Sequence, residues 1–291
     1  MIHGASPKPK QHTNRVRLVH SQTTVTPALL DALTRIALRA SAAIVSVAQA
    51  DLAVERKADG SSVTRADRAA EDAILSDLAR SFPGTAIVSE EQYAAACTAP
   101  EAQTFFLVDP LDGTREFMAG SDEYTVNIAL ISAGIAVAGV VAAPAQGMLW
   151  RGGDALGAER LRFDADGLGR PEPIRTRRWP DTNPIAAVSR SHLDADTVAW
   201  LARIDGIERR SCGSAVKFCR LAEGAADLYP RLAPTCEWDI AAGHAVLAAA
   251  GGVILTPKGG PLRYGAAMES FRVPAFLAWG DPEAARAFAA G

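Results

Sequence analysis

Apolar residues recur at helical spacing through residues 27–53, where Ala, Leu and Ile dominate, and this predicts one long helix. The polar, glycine-containing stretch VERKADGSSV at 54–63 reads as a loop. Ala66, Ala70, Ile74 and Leu78 then keep one face apolar and predict a second helix to about Phe82. TAIVSEE at 85–91 is a short apolar run that ends in two acids. Phe105-Phe106-Leu107-Val108 is a continuous apolar run bounded by turn residues, the pattern of a buried strand. It ends abruptly in charge, in LVDPLDGTREF at 107–117. Residues 124–131 and 135–143 predict two strands joined by a tight turn, with 148–151 as a third, so this part is a meander.

Residues 152–183 hold several Gly, Pro and Arg without a clear period, and a domain boundary is expected there. Beyond it the pattern alternates. Strands are expected at 184–189, near 207–211, and at 225–231, 252–256 and 274–279, with helices from about Ala195 and at 214–223 and 238–250. Such alternation argues for an α/β layered fold. The expected organisation is a flexible tail over 1–25, an α+β subdomain over 26–180 and an α/β subdomain over 181–291.

Composition narrows the class. A hydrophobic fraction of 48% with 22% charged residues supports a packed core and argues against wholesale disorder. A net charge of −3 offers no basic field for a nucleic-acid polymer. No stretch reaches the roughly 18 apolar residues of a membrane span. The first 25 residues carry Lys8, Lys10, Arg15 and Arg17 with no apolar core behind them, so they do not read as a signal peptide. The four cysteines, Cys97, Cys212, Cys219 and Cys236, show no CxxC spacing, and thiols without a signal suggest the cytoplasm.

Acids stand at element ends: Glu90–Glu91, Asp109, Asp112 and Asp239. Element ends are where an α/β sheet presents side chains to a ligand crevice. Asp109 and Asp112 flank Pro110-Leu111, and a proline-fixed turn lets the two carboxylates converge. Clustered hard oxygens suit Mg²⁺, and two such ions about 3.5–4 Å apart clamp an in-line phosphoryl displacement. DPLDG reads equally well as a plain turn. Gly113-Thr114 shifts the balance, because free amides at a helix start accept a phosphate. Asp239 opens a helix and reads on its own as a partner of the helix dipole. The Ala- and Gly-rich helix behind it, however, can pack very close to a neighbour, and Trp238 anchors its entry. Thr64-x-x-Asp67 fits an acidic capping box, which is compatible with a place at the mouth of the buried side. His192, Lys217 and Arg231 lie near element ends of the second half. Each is weak alone; together they suggest an anion grip facing the acids.

VSEE (88–91), DPLDGT (109–114) and WDIAAG (238–243), in this order, resemble the lithium-sensitive, Mg²⁺-dependent phosphatases of the inositol monophosphatase superfamily. The resemblance spans roughly residues 30–280. Within it, DGTREFMAGSDEYTVNIALI, SRSH, GSAVKFCRLAEGAADLYPR and WDIAAGHAV are similar to the CysQ-type 3′(2′),5′-bisphosphate nucleotidases. Arg115-Glu116 departs from the DGTTNF continuation usual in inositol monophosphatases.

The resemblance implies a layered αβαβα sandwich and two or three Mg²⁺ ions. It implies ligands from Glu90, Asp109, Asp112, Asp239 and the Leu111 carbonyl. Asp67 would hold an outer water or third ion. Thr114 would aim the attacking water, with Glu90 or Asp67 as its acidic partner. The Gly113 and Thr114 amides would bind the scissile phosphate, and His192, Ser214, Lys217 and Arg231 the nucleotide. Glu237 stands where the type often has an uncharged residue. The implied reaction is hydrolysis of adenosine 3′,5′-bisphosphate (PAP) to AMP and phosphate, extending to the sulfated analogue PAPS. The enzyme would be a cytoplasmic monomer or homodimer, with the inner-membrane periphery as the other location. The nearest alternative is an inositol or other sugar monophosphatase with the same metals; a more distant one is a non-enzymatic phosphate-ligand sensor.

Overall fold

The computed structural model describes residues 23–48, 54–56, 62–96, 102–265, 271–273 and 275–290. Helix α1 (Pro27–Ala48) is followed by the short strands β1 (Val54–Arg56) and β2 (Ser62–Thr64), helix α2 (Arg65–Ser81), β3 (Ala86–Ser89) and α3 (Glu90–Ala96). Then come β4 (Thr104–Asp112), α4 (Thr114–Met118), β5 (Thr125–Ser132), β6 (Ile135–Ala143), β7 (Met148–Gly153), β8 (Gly157–Asp164), β9 (Gly167–Leu168) and β10 (Glu172–Ile174). The remainder runs β11 (Ile185–Ser189), α5 (Ala195–Leu201), β12 (Glu208–Cys212), α6 (Val216–Ala222), β13 (Leu228–Arg231), β14 (Thr235–Cys236), α7 (Glu237–Ala249), β15 (Val253–Leu255), β16 (Arg272–Val273), β17 (Phe276–Trp279) and α8 (Pro282–Ala290).

Two sheets organise these elements. The first has the order β10-β8-β7-β6-β5-β4-β3, with β9 paired to β8; only its β3–β4 pair is parallel. The second has the order β12-β11-β13-β17-β15, parallel through its first three strands and antiparallel beyond. On β4 and β5, successive side chains point to opposite faces. Phe106, Val108, Val126, Ile128 and Leu130 therefore join Leu33, Ile36, Ile44, Ile74 and Leu78 of α1 and α2. Phe105, Leu107, Ala129 and Ile131 join Ala242, Ala245 and Val246 of α7 and Phe218 of α6. Tyr229, Phe276 and Ala278 of the second sheet complete that middle core. Ala186, Val188, Leu228, Leu277 and Trp279 face outward, under Leu201 of α5 and Ala285 of α8. The layers are thus α1/α2, sheet, α6/α7, sheet, α5/α8, the αβαβα sandwich that the family resemblance implies.

Helix α7 is buried on nearly all sides, which suits its Ala and Gly composition. It lies so close to the first sheet that a Cβ on Gly139 would sit 2.4 Å from the Ala242 carbonyl oxygen. A Cβ on Gly152 would sit 2.9 Å from the Ala249 Cβ and the Val246 Cα.

Several expectations change. The stretch 54–63, read as a loop, carries the antiparallel pair β1–β2. Residues 152–183, read as lacking period, carry β8, β9 and β10, which extend the first sheet to Ile174. They show no period because β8 buries Ala158 and Leu161, three apart, while β9 is exposed. Residues 1–22 and Cys97 lie outside the described residues, but Thr23 and Val25, assigned to a flexible tail, are packed. The Thr23 and Ser132 hydroxyls lie 3.2 Å apart, and Val25 abuts Gly153. Among the described residues no helix is long and apolar enough to cross a membrane.

Candidate active site

Strand β4 does not end at Val108. It runs on through Asp109-Pro110-Leu111-Asp112, and its pairing with β5 shifts register between Asp109 and Asp112. Such a bulge re-aims side chains next to functional sites. Pro110 can stand here because a bulge does not demand its missing N–H. The Asp109 carboxylate accepts the Leu111 amide at 3.0 Å, an Asx turn that fixes one of its oxygens. The chain then turns through Gly113, whose φ of 92° belongs to the left-handed region, into α4.

Asp239 enters from the opposite side, in the first turn of α7. Its Oδ2 accepts from the Thr235 hydroxyl and from the Cys236 amide, the latter at 3.0 Å. Asp112 is approached by the Asn127 side-chain amide at 3.4 Å. Asp67 combines the two readings of its motif. Its Oδ2 accepts the Thr64 amide at 2.7 Å and the Thr64 hydroxyl at 2.6 Å, closing the capping box, while its Oδ1 accepts the Thr114 hydroxyl at 3.1 Å. The Leu111 carbonyl lies 3.3 Å from the same hydroxyl.

The acids load one another. Burial, then the charges of Glu90, Asp112, Asp239 and Asp67, push Asp109 well above the usual carboxylate range. Burial and Asp239 push Asp112 up to about 7, against the lowering influence of Lys217 and Arg231. Burial raises Asp67 too, opposed by its bonds from Thr64. Among the described residues no three Asp, Glu, His or Cys side chains close into a ready-made cage. Magnesium does not require one: it binds through one or two carboxylates and keeps water and phosphate as its other ligands. Hard oxygens converging in a buried, self-repelling cluster fit that ion.

Basic and polar groups form the facing wall. A cavity of about 640 Å³ is lined by Glu90, Asp109, Leu111, Asp112, Gly113, Thr114 and Asp239, and also by His192, Ser214, Lys217 and Arg231. Asp67 sits behind Thr114. The Lys217 ammonium is buried, donates to the carbonyls of Ser214 and Cys212, and lies 5.1 Å from the Tyr229 ring centroid. The Nε of Arg231 is buried with no hydrogen-bond partner among the described residues. Partial desolvation and the charges of Arg231 and Arg115 hold His192 below its ordinary value. Glu237 turns away from the cavity: its carboxylate accepts the Gly265 amide at 2.8 Å, and burial pushes it up to about 7.

Sequence reasoning missed the supports. Asn127 was findable as a lone amide in the apolar run TVNIALI. Thr235 stands four residues before Asp239 and carries no signal beyond that spacing. Tyr93, Arg115 and Arg272 also line the cavity.

The fold and this site define a class. The model of the inositol monophosphatase family matches residues 27–284, and the chain belongs to that family. It is similar to the 3′(2′),5′-bisphosphate nucleotidase CysQ of Escherichia coli strain K12, at 39% identity over 250 residues, covering 85% of this chain and 98% of that protein. It superposes on the crystal structure of CysQ from Bacteroides thetaiotaomicron with a TM-score of 0.73 at 34% identity, covering 87% of this chain and 97% of that one. Similarity to an inositol-1-monophosphatase of Mesorhizobium japonicum is lower, 32% over 214 residues, covering 72% of this chain and 77% of that protein.

Proposed function

We propose that the chain is a CysQ-type 3′(2′),5′-bisphosphate nucleotidase, a phosphoric monoester hydrolase that removes the 3′-phosphate of PAP and of PAPS. The observation that carries this reading is a single cavity with a carboxylate cluster on one wall and a fixed cationic grip on the other. Glu90, Asp109, Asp112, Asp239 and the Leu111 carbonyl would hold two or three Mg²⁺ ions. Bound magnesium supplies the positive charge that activates water and neutralises the leaving oxygen.

The protein's own groups do the positioning. Thr114 gives its proton to Asp67, so its oxygen lone pairs are available to hold a water by one hydrogen. Burial makes Asp67 a stronger base than an exposed aspartate, which suits it to draw a proton through Thr114 as the water attacks phosphorus. Glu90, on the same cavity wall, is the other acid able to serve this water. The Gly113 and Thr114 amides receive the phosphate, while Ser214, Lys217, Arg231 and His192 grip the nucleotide and its retained 5′-phosphate. Arg231 has a buried donor to offer that anion. A cytoplasmic location is part of this proposal.

Purified protein with Mg²⁺ should be assayed against PAP, PAPS, inositol 1-phosphate and fructose 1,6-bisphosphate. PAP should be preferred. Lys217→Met and Arg231→Met should each lower kcat/KM for PAP by about 10²-fold, the loss expected for an unpaired buried phosphate contact. The rate on inositol 1-phosphate should stay within a few-fold. Preference for inositol 1-phosphate in the native protein would overturn the reading.

A further inference from the structure

Three consecutive residues behind β11 meet the segment that follows the phosphate turn. The Arg190 Nε donates to the Glu123 Oε2 at 2.8 Å. The Ser191 hydroxyl donates to the Glu116 Oε1, and the Arg115 guanidinium lies 3.2 Å from the His192 Nε2. Glu123 reaches further, accepting the Gly213 amide at 2.8 Å, and the Thr125 hydroxyl donates to that of Ser214 at 3.2 Å. Residues 115–125 of the first half thus hold both chain segments that carry His192 and Ser214.

The chemistry of this seam is directional. Arginine has no acceptor, so Nε2 of His192 accepts from Arg115 and the ring proton sits on Nδ1. Glu116 is buried, and its Oε2 lies 3.4 Å from where a Cβ on Gly113 would sit. One carboxylate therefore lies over the side-chain-free face of Gly113 in the phosphate turn and bonds the Ser191 turn with its other oxygen. Gly213 admits no side chain here, since its Cβ would lie 2.5 Å from the Glu123 carbonyl oxygen.

We propose that Glu116 and Ser191, with Arg115 and Glu123 on either side, are positioning residues for substrate selection, fixing the nucleotide-gripping wall at one distance from the reacting phosphate. The proposal rests on the nucleotidase reading. It gives a physical role to Arg115-Glu116, the pair that departs from the inositol monophosphatase pattern. A bisphosphate must touch both walls at once, so the spacing between them selects for it.

The test is steady-state kinetics with PAP and Mg²⁺. Ser191→Ala should raise KM about 10-fold while kcat stays within about twofold, because a charge-assisted hydrogen bond that sets substrate binding is lost. Ser191→Thr, which keeps the hydroxyl, should restore KM. Glu116→Gln should raise KM less, and its effect should not add to that of Ser191→Ala in a double-mutant cycle. Unchanged KM in Ser191→Ala, strict additivity, or a fall in kcat as large as the fall in kcat/KM would overturn the proposal. A native protein inactive on PAP would instead overturn the nucleotidase reading beneath it.

Discussion

Asp112→Asn should cut phosphate release by orders of magnitude while leaving the protein folded, and in the metal-free state more stable than the parent above neutral pH. The two halves of this result have one cause. Asp112 is held at about 7 by burial and by Asp239. A carboxyl whose folded value lies above its unfolded one contributes stability below the unfolded value, near 4, and loses it as pH rises through the folded value. Between about pH 4 and pH 7 the metal-free protein therefore gives up stability at this position. Asparagine has the same shape and no charge, so it escapes the penalty. The same charge is what would hold a dication. Its removal should cut kcat by about 10²–10⁴-fold, the range for losing a principal electrostatic contact to the transition state. Thermal melts at pH 8 would read both effects. The parent's Tm should climb with added MgCl₂, as binding to the native state demands. The variant should start higher and climb little. Near-normal turnover in Asp112→Asn would remove the acid cluster from the mechanism.

The largest loss of stability is expected from Gly139→Val. A Cβ there meets the Ala242 carbonyl oxygen at 2.4 Å, and that atom is backbone in the middle of a buried helix. Overpacking usually costs about 1–3 kcal/mol when side chains can turn aside. Here nothing can turn aside, so the cost should exceed about 3 kcal/mol, a large share of the stability of any domain. Urea titration should show a sharply lower midpoint or no folded baseline. Gly84→Ala is the control. Its φ of 81° is in the left-handed region, which Gly139 does not occupy, and among the described residues no atom beyond its two chain neighbours lies within 4 Å of the added Cβ. It should cost about 1 kcal/mol, the conformational term alone. Equal effects at the two positions would mean that contact with α7 does not limit the packing.

The elements most legible in the sequence were those with dense burial. The α2 stripe Ala66, Ala70, Ile74, Leu78 shows it in its period, and Phe105–Val108, packed on both faces, shows it as an unbroken apolar run. β8 to β10 do not, because they bury too little to set a period: β8 buries Ala158 and Leu161, three apart, β9 is exposed, and β10 buries Ile174. Helix α8, nine residues long, was missed as well. In the site, the acids and the turn were legible because Pro and Gly constrain backbone locally. The seam was not. Glu116 and Ser191 are 75 residues apart, and nothing in either neighbourhood announces the other. The close approach of α7 was visible in its Ala and Gly content, while nothing in the sequence paired that helix with Gly139.

That contact between α7 and Gly139 has a consequence for how the site tolerates change. Where two layers meet through large side chains, their separation drifts as those side chains are exchanged. Where backbone rests on backbone, atomic radii alone set the height. Asp239 rides on α7, and Asp109 and Asp112 ride on a strand of the sheet beneath it. The gap between the jaws is thus measured from a hard reference plane, and turnover of the surrounding core residues leaves that calibration untouched.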